Sequence, residues 1–520
     1  MLTMRPSRSN RMATTKKRPP LAVNSLFSVG AWLFPILLGI LSTPTLVRNL
    51  GSEQYGLFAI VLGFMSYSFA FGIGKVAGKF VPEYESSGET EKSVDAVAAT
   101  FMLTLAVAII GALALVIGAP MIVREVLRVE AEHQQAVIYA LYIAAAVGVG
   151  AMMSQVFQFV LQGLHRFDNY LVLMNLYALM LGGGNIGLAL AGYGIVTLIF
   201  WNLAVTIITT MLFYVRARHL FQPLTLFKRV PREMVRAVAS YAGNIILFQI
   251  FGNIFYIFER SWVMRHFGAE ALTFYSVPMI LAIYMHGFVT SIVQAAFPTV
   301  NELLHNRQAV AALYRRANKI VLAIVVFVVT TFITCGALFL KLWVNAELAE
   351  GSETLLVLHG LTFAIVALAV MPLQIADAFR FPVLGVVLTG GWMLLGIPMM
   401  VLASGTWGSE GVAGARLAAT LFTFPVIIYC ERRFLGAFQG RFWAAVGIRI
   451  AAAIAVTVAL QELILSVAGD SYLSLFAAGF GGGISYLLTL IVAGFLTEED
   501  KEVLRWAFIR KSPEVAETGD

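Results

Sequence analysis

Apolar residues in this chain run in long unbroken stretches separated by short polar segments, neither alternating nor confined to one helical face. Such stretches lie near 22–46, 56–80, 96–122, 136–163, 170–192, 194–215, 238–263, 272–300, 319–343, 354–378, 382–403, 409–430, 443–468 and 472–496. A bilayer core about 30 Å thick takes about 20 apolar residues in a helix. Membrane-spanning strands would instead be alternating segments of about 10 residues. The pattern therefore predicts an all-α integral membrane protein with fourteen transmembrane helices.

Composition agrees. Of 520 residues, 59% are hydrophobic and only 12% charged, with a mean hydropathy of +0.83. Soluble domains carry roughly a quarter of their residues as charged side chains. A cytosolic enzyme and the disordered, collagen-like and disulfide-stapled classes are excluded. Cys335 and Cys430 sit in apolar stretches and give neither a disulfide framework nor a metal site, and no cofactor is expected.

Lys and Arg set the orientation. With the N-terminus in the cytoplasm, only Arg48, Arg124, Arg128, Arg260, Arg265 and Lys341 of the 36 fall on the outside, and Lys75, Arg416 and Arg449 fall within spans. Both termini are then cytoplasmic. The apolar stretch after the basic start is too long for a signal peptide, so a retained first helix is expected. The net charge of +7 fits an anionic inner leaflet, with membrane lipids as partners and no nucleic acid. The loop 216–236, with Lys228, Arg229, Arg232 and Arg236 at helical spacing, reads as a surface-lying topology signal.

An internal repeat organises the chain. LVRNLGSEQYGLF from Leu46 aligns with VMRHFGAEALTFY from Val263, pairing Arg48 with Arg265, Gly51 with Gly268 and Glu53 with Glu270 at an offset of 217. Arg166-Phe167 meets Arg380-Phe381 at 214, and Gly194-Ile195 meets Gly411-Val412 at 217. Six spans per copy make the repeat parallel. The expected organisation is a basic tail 1–19, an N-lobe 20–218, a linker 219–235, a C-lobe 236–433, two extra helices in 434–497 and a tail 498–520. Two bundles facing each other across a cleft suit alternating access.

Ionisable residues inside spans face protein or water. Lys75 and Lys79 share one helical face and read either as the cationic wall of a cavity or as snorkelling side chains. Arg260, Arg416 and Arg48 are further candidates for substrate contact, with structural ion pairing as the competing reading. Arg449 is the weakest, because its span need not line the cleft. Glu259 and Asp377 are the candidates for ion coupling, and Asp377 can instead pair with Arg380. Gln155, Gln158 and Gln162 form a stripe suited to sugar hydroxyls or to interhelical hydrogen bonds. The sequence has no P-loop motif, no H-E-x-x-H and no inter-span segment beyond about 20 residues, so it reads as a pathway rather than a catalyst.

LAVNSLFSVG, TPTLVRNLGSEQYGLFAIV and GIGKVAGKFVPEYESSGE, followed by LQGLHRFDNY, GSEGVAGARLA and LTEEDKEVLR, resemble the polysaccharide transporter family, whose members include O-antigen and exopolysaccharide flippases. That family belongs to the multidrug/oligosaccharidyl-lipid/polysaccharide exporter superfamily. The resemblance covers nearly the whole chain; Arg48, Gly51, Tyr55, Gly56, Lys75, Lys79, Glu83 and Arg166 carry it. It implies a non-enzymatic flippase that moves lipid-linked oligosaccharide units, usually on undecaprenyl diphosphate, across the bacterial inner membrane. A polysaccharide polymerase and chain-length proteins are the partners it implies. Arg and Lys in a dry cleft suit an anionic pyrophosphate. Related drug–cation antiporters use an acidic residue in the first span and related lipid II flippases use basic ones; 22–46 has neither. A multidrug or cation antiporter of the same fold and a membrane glycan polymerase or ligase are the alternative readings.

Overall fold

The computed structural model describes residues 21–495 apart from 70, 223, 295–299 and 301–302, with side chains described from residue 33 except at 244 and 294. The tails 1–19 and 498–520 lie outside the described residues. Described helices in the first half are α1 (Leu21–Leu50), α2 (Ser52–Tyr67), α3 (Lys75–Ser86), α4 (Thr90–Met121), α5 (Ala131–Gly163), α6 (Phe167–Leu190) and α7 (Ile195–Leu220). Then come α8 (Arg232–Gln294), α9 (Arg307–Trp343), α10 (Ala346–Leu368), α11 (Val370–Ala378), α12 (Val383–Thr420), α13 (Thr423–Cys430), α14 (Gly440–Ala468) and α15 (Tyr472–Val492). One-turn π-helices follow α4 at Ile122–Val126 and α13 at Glu431–Leu435. No strand occurs among the described residues.

Among the described residues, eleven helical stretches are long and apolar enough to cross a bilayer. Two exceed a single crossing: Arg232–Val293 has 62 residues and Val383–Leu435 has 53. Each is broken where the backbone leaves helical geometry, at Gly268 in α8 and at Trp407 and Gly408 in α12. The expected span 56–80 is itself two helices, because α2 ends at Tyr67 and α3 starts at Lys75. Gly51 (φ 80°) and Gly268 (φ 85°), which the sequence alignment pairs, both adopt a backbone that a Cβ would strain.

Side chains such as Ile117, Leu402 and Val492 are 78%, 77% and 87% exposed on helix flanks, as a lipid-facing surface requires. Inside, hydroxyls return to their own helix: Thr100 donates to the Ala96 carbonyl at 2.7 Å and Thr104 to that of Thr100 at 2.6 Å. In an apolar medium such pairing is obligatory. α3 packs on α5 through Gly74, where a Cβ would stand 2.9 Å from the Gln155 carbonyl. α8 continues from an irregular stretch that Lys228 ties to buried Asp95 at 2.5 Å, so the linker is fastened to α4 and helical structure starts only at Arg232.

α1 to α7 pack among themselves, and α8, α9, α10 and α12 form a second group that α2 meets along α8. α14 and α15 pair with each other and dock on α9. Polar side chains fix that docking. Gln461 of α14 accepts from Thr334 at 2.6 Å and donates to Thr331 at 3.2 Å, both on α9. Buried Glu431 accepts from the Tyr314 hydroxyl of α9 (2.7 Å), the Trp443 indole of α14 (2.7 Å) and the Gln439 amide (2.8 Å).

Removing that carboxylate leaves three donors without an acceptor, at about 1–3 kcal/mol for each that stays buried. Glu431→Ala is expected to lower the midpoint of thermal unfolding in detergent, followed by tryptophan fluorescence, and Glu431→Gln to lower it less. Equal midpoints for Glu431→Ala and wild type would disprove this role.

Candidate functional site

The two groups of helices meet where α2 faces α8. Gly63 on α2 makes room for Arg260 of α8, whose Cδ lies 3.2 Å from where a Cβ would stand. The Arg260 guanidinium lies over two rings, 5.2 Å from the centre of Tyr67 on α2 and 5.8 Å from that of Tyr256 on α8. Those rings stack across the seam at 4.7 Å, nearly parallel. Arg260 is 6% exposed, and its Nη1 is buried without a hydrogen-bond partner. A buried guanidinium nitrogen left unpaired is costly, so this cation is held ready for an acceptor.

Arg416 of α12 shares the Tyr256 ring, at 4.3 Å, but has a different fate. It pairs with Glu259, whose other oxygen accepts from the Tyr275 hydroxyl. His359 of α10 meets the Tyr275 ring edge-on at 4.6 Å. Every member of this network belongs to the second group of helices. Neighbouring residues Glu259 and Arg260 therefore part company, one neutralised within its own bundle and one presented to the other.

Lys75 and Lys79 stand on α3 with exposed side chains, although Val76, Ala77 and Phe80 around them are buried. Lys79 lies 4.2 Å from the ring centre of Tyr241 on α8, and Phe80 meets that ring edge-on at 6.2 Å. Lys75 and Asp377, at the end of α11, act on each other electrostatically across the seam. Asp377 is exposed, whereas both oxygens of Glu259 are occupied. Gln155 and Gln162 are half-buried on α5, and Gln158 donates to Ser154 of the same helix at 3.0 Å.

The far end of the seam is closed by two arginines. Arg48, at the end of α1, donates to the Val344, Leu342 and Trp343 carbonyls at 2.6, 3.2 and 3.1 Å, the C-terminus of α9. Arg265 of α8 donates to the Glu125 and Val126 carbonyls beyond α4. Glu125 and Val126 precede Leu342 and Trp343 by 217 residues, as Arg48 precedes Arg265. Each bundle thus caps a helix of the other with an arginine, and these are the two arginines that the sequence alignment pairs. Trp343 adds a bond from its indole to the Ile40 carbonyl at 2.8 Å.

Of the residues singled out from sequence, Arg260 and Arg416 meet at Tyr256, while Lys75, Lys79 and Asp377 gather at one mouth of the seam. Arg48 stands at the opposite end, engaged with main chain. Sequence reading passed over Tyr67, Tyr256 and Tyr241. A tyrosine in the middle of a span, away from the interfacial belt where Tyr concentrates, was the available signal for the first two.

The two cations at Tyr256 should separate in their effects. Arg416→Ala leaves Glu259 charged and buried, a loss of about 3–5 kcal/mol, whereas Arg260→Ala removes cation–ring contacts of about 1 kcal/mol. Thermal unfolding in detergent should show a large drop for the first and a small one for the second. The reverse order would refute this assignment.

Comparisons with known proteins place the chain. In structure it resembles the lipid II flippase MurJ in an inward closed conformation, with a TM-score of 0.69 at 12% identity over 93% of this chain and 100% of that one. It also resembles an inward-facing multidrug resistance MATE family transporter of the MOP superfamily, with 0.64 at 14% identity over 80% of this chain and 94% of the other. A MOP superfamily transporter from Pyrococcus furiosus gives 0.60 at 16% identity over 82% and 96%. These likenesses establish the fold. No curated protein matches the sequence. The family model described as polysaccharide biosynthesis protein matches residues 21–304, more than half of the chain. The chain is thus a multi-pass membrane protein with the fold shared by MurJ and the MATE transporters, and it belongs to the polysaccharide biosynthesis protein family.

Proposed function

We propose that the protein is a flippase that carries lipid-linked oligosaccharide repeat units, on undecaprenyl diphosphate, across the bacterial inner membrane for polysaccharide assembly. It crosses the membrane fourteen times with both termini in the cytoplasm: α8 and the run α12–α13 cross twice each, and α2 and α3 together cross once. Two lobes, 20–218 and 236–433, rock about the seam between α2 and α8. The observation that carries the reading is Arg260, a buried cation at that seam with an unpaired Nη1, lying beside a stacked pair of tyrosines.

A diphosphate entering at the mouth meets exposed Lys75 and Lys79 first. Arg260, deeper in the seam, offers the fork of donors that phosphate oxygens fit. Tyrosine rings offer flat apolar faces to sugar rings, and the lipid tail stays in the bilayer. The clasp of Arg48 and Arg265 keeps the far end shut while the mouth with the lysines receives substrate.

Two measurements test this. In liposomes, wild type should expose a fluorescent undecaprenyl-diphosphate oligosaccharide to an outside quencher. Lys75→Ala and Arg260→Ala should each be about tenfold slower or worse, as the loss of one charge-assisted hydrogen bond of about 1.5–3 kcal/mol implies. Unchanged rates in both variants would defeat the cationic seam, and uptake of cationic dyes without lipid movement would install the antiporter reading instead. Accessibility tests the clasp. Ala59, between Gly56 and Gly63 on the α2 face toward α8, is replaced by Cys in a chain whose buried Cys335 and Cys430 are Ala. Arg48→Ala with Arg265→Ala should speed its labelling from the clasp side by about tenfold, the effect of about 1.4 kcal/mol. An unchanged rate would remove the clasp from the gate.

A further inference from the structure

At the clasp end of the molecule, donors from two helices of the first group converge on one point. Glu53 lies in the first turn of α2, and Glu132 and His133 lie in the first turn of α5. Nε2 of His133 is 3.0 Å from a carboxylate oxygen of Glu53 and 3.2 Å from one of Glu132. That nitrogen is buried and makes a hydrogen bond to neither. One ligand atom of each side chain lies within 4.8 Å of the other two. Glu53 and His133 also line a cavity of about 110 Å³, together with Arg128, Glu130, and Arg265 and His266 of α8.

A proton accounts poorly for this convergence. An N–H aimed at either carboxylate would make a hydrogen bond, and none is made. An imidazolium in the opening turn of α5 would also face the positive end of the helix dipole, which favours glutamate there and disfavours a cation. A metal ion fits both facts. Ligands about 2.0–2.1 Å from a tetrahedral ion stand about 3.3 Å apart, close to the spacing of this nitrogen from both oxygens. The histidine is no requirement of the repeat: at the offset that pairs Glu53 with Glu270, Glu132 and His133 fall on Ala349 and Glu350. Of the two arginines beside the cavity, Arg265 is engaged with the Glu125 and Val126 carbonyls. The Glu53 and Glu132 side chains are 47% and 71% exposed, which leaves an ion a path from water. Imidazole joined to carboxylates suits a borderline transition ion, whereas Ca²⁺ and Mg²⁺ take oxygen ligands.

We propose that Glu53, Glu132 and His133 bind a divalent transition-metal ion of the zinc class, with water from the adjoining cavity completing its coordination. The ion ties the start of α2 to the start of α5 within one bundle, at a site separate from Arg260.

The test is calorimetric titration of Zn²⁺ into the full-length protein in detergent, without an affinity tag and stripped by a chelator. Wild type should take up one ion that excess Ca²⁺ or Mg²⁺ does not displace, and zinc should raise its thermal unfolding midpoint. Absence of saturable uptake would return the three side chains to a shared proton and overturn the proposal. His133→Ala and Glu53→Gln should each weaken uptake about a hundredfold or more, because even groups that merely orient a ligand are worth about 10–100-fold. His266→Ala, at the same cavity, should bind as wild type does. Wild-type affinity in His133→Ala, or a loss confined to His266→Ala, would put the ion elsewhere and defeat the assignment. X-ray absorption at the zinc edge checks the donors without a substitution. One imidazole among oxygen ligands is expected, and sulfur or several imidazoles would overturn the site.

Discussion

Two arginines hold one end of this molecule shut, and the arrangement of everything else follows from that closure. A helix ends with carbonyls that lack intrahelical partners and with a partial negative charge. α9 and the end of α4 leave such carbonyls at the seam, and Arg48 and Arg265 satisfy them from the opposite bundle. Because each bundle supplies one of the two arginines, neither can turn away without losing its own cap and its partner's. In the proposed function substrate enters from the other end, where Lys75 and Lys79 are exposed.

Along the seam, the treatment of charge separates structure from function. Within a bundle, charges are cancelled: Glu259 is held by Arg416 and Tyr275, and Asp95 by Lys228. At the seam Arg260 keeps an unpaired nitrogen while lying against rings from both bundles. A charge buried without a counterion is a standing cost. An anion bound there would lower that cost, which is why the proposed function takes Arg260 as a contact for negative groups.

Much of this was legible in the sequence, for reasons that also explain what was not. Continuous apolar runs announce helices because a bilayer leaves backbone groups no other partners. The breaks at Gly51 and Gly268 were visible as glycines within a repeated motif, since positive φ leaves that signature. The pairing of Arg48 with Arg265 was visible as an alignment, but their carbonyl partners carry no side-chain signal at all. The break between α2 and α3 was hidden, because residues 68–74 are as apolar as the helices they separate. Glu431 was hidden for another reason: its partners are a tyrosine 117 residues away, a tryptophan indole and a backbone amide, and none of them predicts the others.

Why the closed end can open follows from where its bonds lie. Five arginine-to-carbonyl hydrogen bonds make the clasp. Each contributes roughly 0.5–1.5 kcal/mol when water can replace the lost partner, so together they amount to a few kcal/mol. At helix ends, outside the hydrocarbon, water can do so. The Glu259–Arg416 pair in the interior has no such replacement, and breaking it would leave two buried charges. A ligand that prefers one state by about 5.5 kcal/mol inverts a two-state equilibrium from 1:99 to 99:1. In the proposed cycle an anion engaging Arg260 and the lysines supplies that preference, and the molecule comes apart between its bundles while the Glu259–Arg416 pair keeps the second bundle intact.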